Sequence, residues 1–447
     1  MPDFVVKSKK ILLLLGDIAI LYLSLFLSLV IRYLDLGQAV IQWQENLLPF
    51  SLVFIVWLIC FFINDFYDLK TSHNNVAILN KLLRAFVINT AIALAVFYFL
   101  VPLTSHDIKP QRVLVIDLIV SFGLLYFWRW LFFNFIKSKS ITNNILIIGN
   151  GELSQELLRE INLRPQLGYK AAIESAMPND LKEYCRQNNI NILISARELR
   201  GDYETSKKLF DCISLGVDVY NINGFYEQIT GRIPVESIDH SWFLENLAEN
   251  SKKTYEIAKR FSDIAMAVLG LIVTCPFIPF IALIIKLESP GPIIFKQVRM
   301  GRKGKNFLAM KFRSMVADAE KNGAQWATKN DPRVTRFGRI MRKTRLDEIP
   351  QLFNILRGEM SFVGPRPERP EFIETLSREI PFYMERHLVR PGLAGWAQLK
   401  GPSYGGSKEE TLEKIKYDLY YIKNRSLFFD LTIILKTARV VLGGKGQ

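Results

Sequence analysis

Asp263-Ile-Ala-Met-Ala-Val-Leu-Gly-Leu-Ile-Val-Thr-Cys-Pro-Phe-Ile-Pro-Phe-Ile-Ala-Leu-Ile-Ile-Lys286 is long and apolar enough to cross a bilayer. Whether it crosses decides on which side everything after it lies. Its flanks are basic at both ends, with Lys252, Lys253, Lys259 and Arg260 before it and Lys286, Lys296 and Arg299 after it. Residues 251–447 carry 35 Lys or Arg against 19 Asp or Glu, whereas residues 1–250 carry 22 against 24. A crossing would strand that positive charge outside, against the positive-inside rule. Pro276 and Pro279 also stand mid-run, where proline breaks or kinks a helix. The run therefore reads as a kinked hairpin that enters and leaves on the cytoplasmic face.

Downstream the charge concentrates. Gly301 to Arg345 holds thirteen Lys or Arg and three acids, Asp318, Glu320 and Asp331. Into this field the sequence sets two adjacent carboxylates, Asp347 and Glu348. Cations so placed hold a multiply charged phosphate ester, and a carboxylate beside them can attack it or hold a metal. Asp347-Glu-Ile-Pro-Gln-Leu-Phe-Asn-Ile-Leu356 has helical apolar spacing, and Pro350 fits only a first turn. The spacing predicts a helix starting near Asp347, with both acids at its positive end. The plainer alternative is an N-cap followed by a first-turn acid.

Upstream, Ile11–Ile31 follows Lys7, Lys9 and Lys10 and is too long, with no small-residue cleavage site, for a signal peptide. Asp17 inside it is read as facing other helices. Pro49–Ile63, Ala85–Val101 and Val113–Phe133 give three more spans. Lys7, Lys9, Lys10, Lys70, Lys81, Arg84, Lys137 and Lys139 mark the cytoplasmic side, and the loops near 33–47 and 104–112 carry little positive charge. Residues 143–245 read as a small α/β unit with strands at 144–148, 190–194 and 217–220. Gly149-Asn-Gly151 begins a dinucleotide fingerprint, but Ser154 stands at its third glycine, and no ribose-binding acid follows. Positive mean hydropathy despite 22% charged residues agrees with membrane segments. Cys60, Cys185, Cys212 and Cys275 form no sequence pair that suggests a disulfide frame or zinc site.

Five motifs occur in order: Phe295-Lys-Gln-Val-Arg-Met-Gly301, Lys311-Phe-Arg-Ser-Met315, Leu346-Asp-Glu-Ile-Pro-Gln-Leu352, Ser361-Phe-Val-Gly-Pro-Arg-Pro-Glu368 and Val389-Arg-Pro-Gly-Leu-Ala-Gly-Trp-Ala-Gln398. Together they resemble the bacterial sugar transferases, which are monotopic polyprenyl-phosphate phosphoglycosyl transferases. Phe225-Tyr-Glu-Gln-Ile-Thr-Gly-Arg-Ile-Pro234 resembles the connector of the long members, which prime exopolysaccharide or O-antigen synthesis. The resemblance implies a membrane protein of α plus α/β class. Residues 1–140 would form a four-helix transmembrane bundle and 141–250 a Rossmann-like cytosolic domain with its connector. Residues 251–447 would form a mainly α catalytic domain with a re-entrant helix at 262–287, bent at Cys275-Pro276.

It implies transfer of a sugar-1-phosphate from a UDP-sugar to undecaprenyl phosphate at the bacterial inner membrane, with release of UMP. Asp347 would be the nucleophile on the β-phosphate and a ligand of Mg²⁺, with Glu348 its acid/base or metal-positioning partner. Lys311, Arg313, Arg342 and Arg345 are candidate phosphate clamps, and Arg366, between Pro365 and Pro367, contacts the nucleotide. Arg336 and Arg339 are assigned to anionic headgroups of the membrane lipid. Galactose and glucose lead as the sugar, with N-acetylated sugars behind, and the long members suggest a homodimer.

Two other readings compete. An NAD-dependent nucleotide-sugar dehydratase or epimerase needs a complete glycine fingerprint and a Tyr-x-x-x-Lys pair in register. Tyr203–Lys207 and Tyr255–Lys259 have the spacing, but the second precedes an apolar run. A non-enzymatic membrane sensor leaves the acid pair and its basic surround without a purpose. The apolar runs and the missing recognition motif argue against nucleic acid.

Overall fold

The computed structural model describes residues 2–68, 75–99, 111–137, 143–196, 203–247, 252–316, 319, 331–402 and 407–442. The expected loop at 104–110 lies outside these residues, as do Lys70, Lys139 and positions 403–406 of the Gly-rich stretch. The chain forms two compact units, Met1–Thr230 and Gly231–Gln447. It is mostly helical, with several long apolar helices and a small parallel sheet.

The first unit opens with α1 (Pro2–Tyr33), α2 (Leu36–Ile63), α3 (Asn75–Phe99) and α4 (Gln111–Lys137). Each holds an apolar stretch long enough to cross a membrane. The stretch read as a loop at 33–47 is mostly helix. Asp35 caps α2 by accepting from the Gly37 N–H, and the helix continues through Pro49. Around that proline, Asn46 Nδ2 and Ser51 Oγ donate to the carbonyls of Gln42 and Leu47. Asp17 is fully buried, paired with Arg129 at 2.5 Å, and accepts a hydrogen bond from the Tyr67 hydroxyl at 2.8 Å. Both donors meet Oδ2, and the buried Oδ1 has no hydrogen-bond partner among the described residues.

The rest of this unit alternates strand and helix: β1 (Asn143–Ile148), α5 (Glu152–Asn162), β2 (Tyr169–Glu174), α6 (Leu181–Gln187), β3 (Ile190–Ser195), α7 (Tyr203–Ile213), β4 (Asp218–Asn221) and α8 (Ile222–Thr230). The strands pair in parallel in the order β2-β1-β3-β4. Sequence reading missed β2, an edge strand whose Tyr-Lys-Ala-Ala-Ile-Glu has no sustained apolar run. Gly149 has φ +110°, and a Cβ there would come within 2.9 Å of the Ala196 Cβ, so the turn after β1 requires glycine.

The second unit carries α9 (His240–Asn246), α10 (Lys253–Thr274), α11 (Ile278–Glu288), β5 (Ile294–Met300), β6 (Asn306–Phe312), α12 (Arg336–Thr344), α13 (Gln351–Arg357), β7 (Ser361–Val363), α14 (Pro370–Glu379), β8 (Gly392–Ala394), α15 (Trp396–Lys400), α16 (Lys408–Asn424) and α17 (Leu427–Leu442). A 3₁₀ turn, Cys275–Phe277, separates α10 from α11 and contains Pro276. One side of each helix packs inward. Ala267 and Leu271 meet Phe307, Leu352 and Ile355, while Ile281 and Ile285 meet Phe312 and Met341. The other side leaves Phe261, Leu269, Ile272, Phe277, Phe280 and Leu287 exposed. The amphipathic spacing over 371–387 predicts one helix, but the chain forms two elements there. Helix α14 ends before Pro381, Phe382 turns left-handed at φ 56°, and a 3₁₀ segment follows from Tyr383 to Leu388.

Candidate active site

Asp347 and Glu348 do not open an α-helix. They lie in a tighter 3₁₀ turn, Leu346–Glu348, and α13 begins only at Gln351, after Pro350. Arg345 ends α12 in the left-handed conformation, φ 59°, and this reversal turns the chain into the acid pair. The pair is therefore placed by two helices meeting at a sharp corner. With α13 only seven residues long, side-chain cations must supply most of the field.

Both carboxylates are buried. Glu348 Oε1 accepts from Arg366 Nη2 at 3.0 Å and Arg345 Nη1 at 3.1 Å, and Lys311 Nζ is 3.6 Å away. Burial alone would raise its pKa. The combined charges of Arg366, Lys311 and Arg345 overcome that and hold the carboxyl well below the usual range. Asp347 goes the other way. Desolvation, then the neighbouring Glu348 charge, raise its pKa against the pull of Lys311, Arg342 and Arg345. Its Oδ1 is buried and has no hydrogen-bond partner among the described residues. Two adjacent acids are thus pushed apart in acidity, one spent on cations and one with an oxygen unengaged. Burial lowers Lys311 to about 8, although Glu348 favours its charged form.

The candidate cations divide. Lys311, Arg345 and Arg366 converge on Glu348. Arg342 donates from Nε to Ser314 Oγ at 2.9 Å and lies in the field of Asp347. Arg313 is the candidate that stands apart. Its Nη2 donates to the carbonyls of Ser289, at 2.6 Å, and Ile285 at the end of α11, while its Nε and Nη1 are buried and have no hydrogen-bond partner among the described residues. Arg336 and Arg339 are exposed on α12. Arg299, Lys311, Gln351, Arg366, Pro367 and Gly392 line a small depression beside the acids.

Pro365-Arg366-Pro367 lacks two N–H groups, yet each of its carbonyls is engaged. Pro365 O accepts from Gly392 N, Arg366 O from Arg386 Nη2 and Pro367 O from Arg299 Nη1, at 2.9, 2.9 and 3.0 Å. Strands β7 and β8 pair in parallel just before it, Ser361 opposite Gly392 and Val363 opposite Ala394. This close approach brings two of the sequence motifs together.

Several positioning residues were not legible in the sequence. Asn354 is fully buried. Its Nδ2 donates to Leu308 O at 2.8 Å and Glu359 Oε2 at 2.7 Å, and its Oδ1 accepts from Met310 N at 3.1 Å, tying α13 to β6. Asp263 accepts from Ser361 Oγ and Phe362 N, fixing α10 to β7. Arg260 donates to the carbonyls of Ile355 and Leu356 at the end of α13. The one legible sign was a polar residue, Asn354, on an otherwise apolar helix face. Asn354→Ala strips a buried backbone N–H of its partner. It should destabilise the second unit by about 3 kcal/mol, read as a lowered unfolding midpoint in detergent. An unchanged midpoint would remove this account of how the corner is held.

Tyr255 and Lys259, which have dehydrogenase spacing, both donate to Asp430 Oδ2, at 2.8 and 2.7 Å. The Tyr421 hydroxyl lies 2.8 Å from Asp430 Oδ1. The pair is consumed in a buried bridge between α10, α16 and α17.

Comparison with known proteins bears on this geometry. Residues 254–444 match the family described as bacterial sugar transferase. A UDP-N-acetylgalactosamine-undecaprenyl-phosphate N-acetylgalactosaminephosphotransferase of Aeromonas hydrophila is 44% identical over 249 residues, 56% of this chain and 57% of that protein. A UDP-glucose:undecaprenyl-phosphate glucose-1-phosphate transferase of Xanthomonas campestris pv. campestris is 38% identical over 60% of this chain and 56% of its own length. A putative undecaprenyl-phosphate N-acetylgalactosaminyl 1-phosphate transferase of Bacillus subtilis (strain 168) is 53% identical over 30% of this chain and 77% of its own. The chain thus spans little more than half the length of the first two relatives.

Proposed function

The chain belongs to the bacterial sugar transferase family, and from that premise we propose that it transfers a sugar-1-phosphate from a UDP-sugar to undecaprenyl phosphate, releasing UMP. The observation that carries the reading is the unengaged, buried Oδ1 of Asp347 inside a ring of cations. In the first step an Asp347 oxygen attacks the β-phosphorus, and the bond from that phosphorus to the bridging oxygen breaks. UMP leaves with the electron pair, and the sugar phosphate is held as an acyl phosphate. In the second step a phosphate oxygen of undecaprenyl phosphate attacks the same phosphorus. The bond to Asp347 breaks, which restores the carboxylate and yields the diphosphate-linked sugar. Lys311, Arg345 and Arg366, already gathered on Glu348, and Arg342 beside Asp347 neutralise the donor's diphosphate.

Mg²⁺ fits a site that protein and substrate would share, since no group of three or more metal-ligating side chains occurs among the described residues. It keeps most of its waters and binds through one or two carboxylates plus substrate phosphates, and Asp347 offers a free oxygen of that kind. When bound it would neutralise the diphosphate charge. Asp347 would hold it, with Glu348 positioned alongside.

The membrane placement follows the same reading. Helices α1–α4 span the bilayer as a bundle, the Rossmann-like β1–β4 sheet lies in the cytosol, and α10–α11 re-enter the cytoplasmic face of the inner membrane. In support, both ends of the apolar run are tied to one small fold. Asp263 is bound to β7, and the carbonyls of Ile285 and Ser289 are bound to Arg313 just after β6. The exposed Phe and Leu side chains between those ends face lipid.

The test is UMP release in detergent with Mg²⁺ and undecaprenyl phosphate from UDP-linked glucose, galactose, N-acetylglucosamine and N-acetylgalactosamine. Relatives named for N-acetylgalactosamine and glucose put those two first in the panel. UMP from one donor establishes the reaction and its sugar. Folded protein that releases none with any donor removes it.

The pH profile of kcat/KM should be bell-shaped. Asp347 works as a carboxylate with a raised pKa, so activity falls on acidification at a higher pH than for an ordinary aspartate. Lys311 works as a cation, and its charge is lost as pH rises through about 8. Lys311→Arg should move the alkaline limb upward. A profile flat to about pH 10 in the unsubstituted protein would refute the role of Lys311.

A further inference from the structure

Arg366 reaches Glu348 from a segment flanked by prolines, so its direction depends on what grips its carbonyls. Two of the three grips are guanidinium groups. Arg299 holds Pro367 O, and Arg386 holds Arg366 O itself. Arg386 is buried in the 3₁₀ segment after α14. It donates from Nη1 to the Tyr383 hydroxyl at 2.9 Å. It also lies 2.9 Å from Asp418 Oδ2 on α16, a carboxylate only 2% exposed. A buried ion pair is costly to desolvate and is a weak device for stability alone. Here it ends on the backbone of a residue that touches the acid pair. The line runs from Asp418 through Arg386 and the Arg366 carbonyl to the Arg366 guanidinium and Glu348.

We propose that Arg386, anchored by Asp418, is a positioning residue for the phosphate site. It fixes the backbone of Arg366 and thereby aims that guanidinium at the donor's diphosphate. The inference rests on the transferase reading above. A planar fork suits the task because one side chain must serve a carbonyl, a hydroxyl and a carboxylate in different directions. A lysine ammonium keeps the charge and loses that geometry. Misplacing a binding group by a fraction of an ångström to an ångström costs about 10- to 100-fold in rate.

The experiment is a double-mutant cycle with Arg386→Lys, Arg366→Lys and the double variant in the full chain. Each protein is measured for kcat/KM of UMP release and, by calorimetry, for UDP affinity. Arg386→Lys should lower both about tenfold in the wild-type background and less than about twofold in the Arg366→Lys background, because it acts only through Arg366. Losses of equal size in both backgrounds would mean a general structural role and overturn the proposal. If Arg386→Lys does not fold, Asp418→Asn replaces it in the cycle. That variant keeps Arg386 and removes its anchor, and the same non-additivity is expected with a smaller single loss of about threefold. Wild-type protein that neither binds UDP nor releases UMP would overturn both this proposal and the transferase reading. UDP binding with additive losses would overturn this proposal alone.

Discussion

Asp347→Asn should abolish UMP release, lowering kcat by at least ~10³-fold while leaving the protein folded. The substitution keeps the shape of the side chain and removes its charge and nucleophilic oxygen. The surroundings argue for folding without difficulty. Desolvation and the Glu348 charge both oppose ionisation of Asp347, so a neutral group at this position relieves a cost. The loss must therefore be chemical. Two readouts separate the possibilities. Wild type incubated with a UDP-sugar labelled in the sugar, and quenched before acceptor is added, should retain label on the protein, and Asp347→Asn should retain none. UDP affinity should stay within a few-fold of wild type, because the cations converge on Glu348 instead. Turnover that survives in Asp347→Asn would remove the covalent route. Glu348→Gln should behave differently, weakening donor binding as Arg366, Arg345 and Lys311 lose their common anchor.

The second large effect is on the fold of the site. Gly392→Ala should lower the unfolding midpoint of the second unit by about 6 °C or more and take activity with it. A Cβ at Gly392 would stand 2.1 Å from Gly364 N, 2.5 Å from Ala394 O and 2.6 Å from Gly364 O, all backbone atoms that cannot swing aside. Gly364 is the reciprocal position, where a Cβ would meet Arg390 O at 2.3 Å. Relief requires separating β7 from β8. That would break the Gly392 N–H bond to Pro365 O and release the proline-flanked segment that carries Arg366. Unfolding followed in detergent by near-ultraviolet circular dichroism measures the effect. A variant within a degree or two of wild type, with full activity, would show that the strands can part without consequence.

The candidate site was more legible in the sequence than the residues that support it. Asp347 and Glu348 stand out because two adjacent acids follow a field of thirteen cations, although an N-cap and a first-turn acid would also account for them. The apolar run declares itself by length and by Pro276 and Pro279. What spacing cannot give is the partner of a buried group. Arg313 sits in a basic motif and looks like a phosphate clamp, yet its resolved hydrogen bonds go to backbone carbonyls of the preceding helix. Arg386 and Asp418 lie 32 residues apart, and nothing in either neighbourhood announces the other. The start of the helix after the acid pair was misjudged because Pro350 was read as a first-turn residue, whereas the turn before it is 3₁₀ and closes on Arg345. The helix over 371–387 was overextended because amphipathic spacing continued past Pro381.

One oxygen atom, Glu348 Oε1, receives three positive groups at once. In effect the resting protein carries its own stand-in for an incoming anion. Without such a stand-in, three like charges this close would repel one another and splay apart. With it, the repulsion is settled during folding, and the cations wait in register. In the proposed reaction an arriving diphosphate would trade places with a tenant carboxylate and build no new assembly, and a departing UMP would hand the cations back. On that reading the site would pass through two anionic occupants per cycle without coming apart between them.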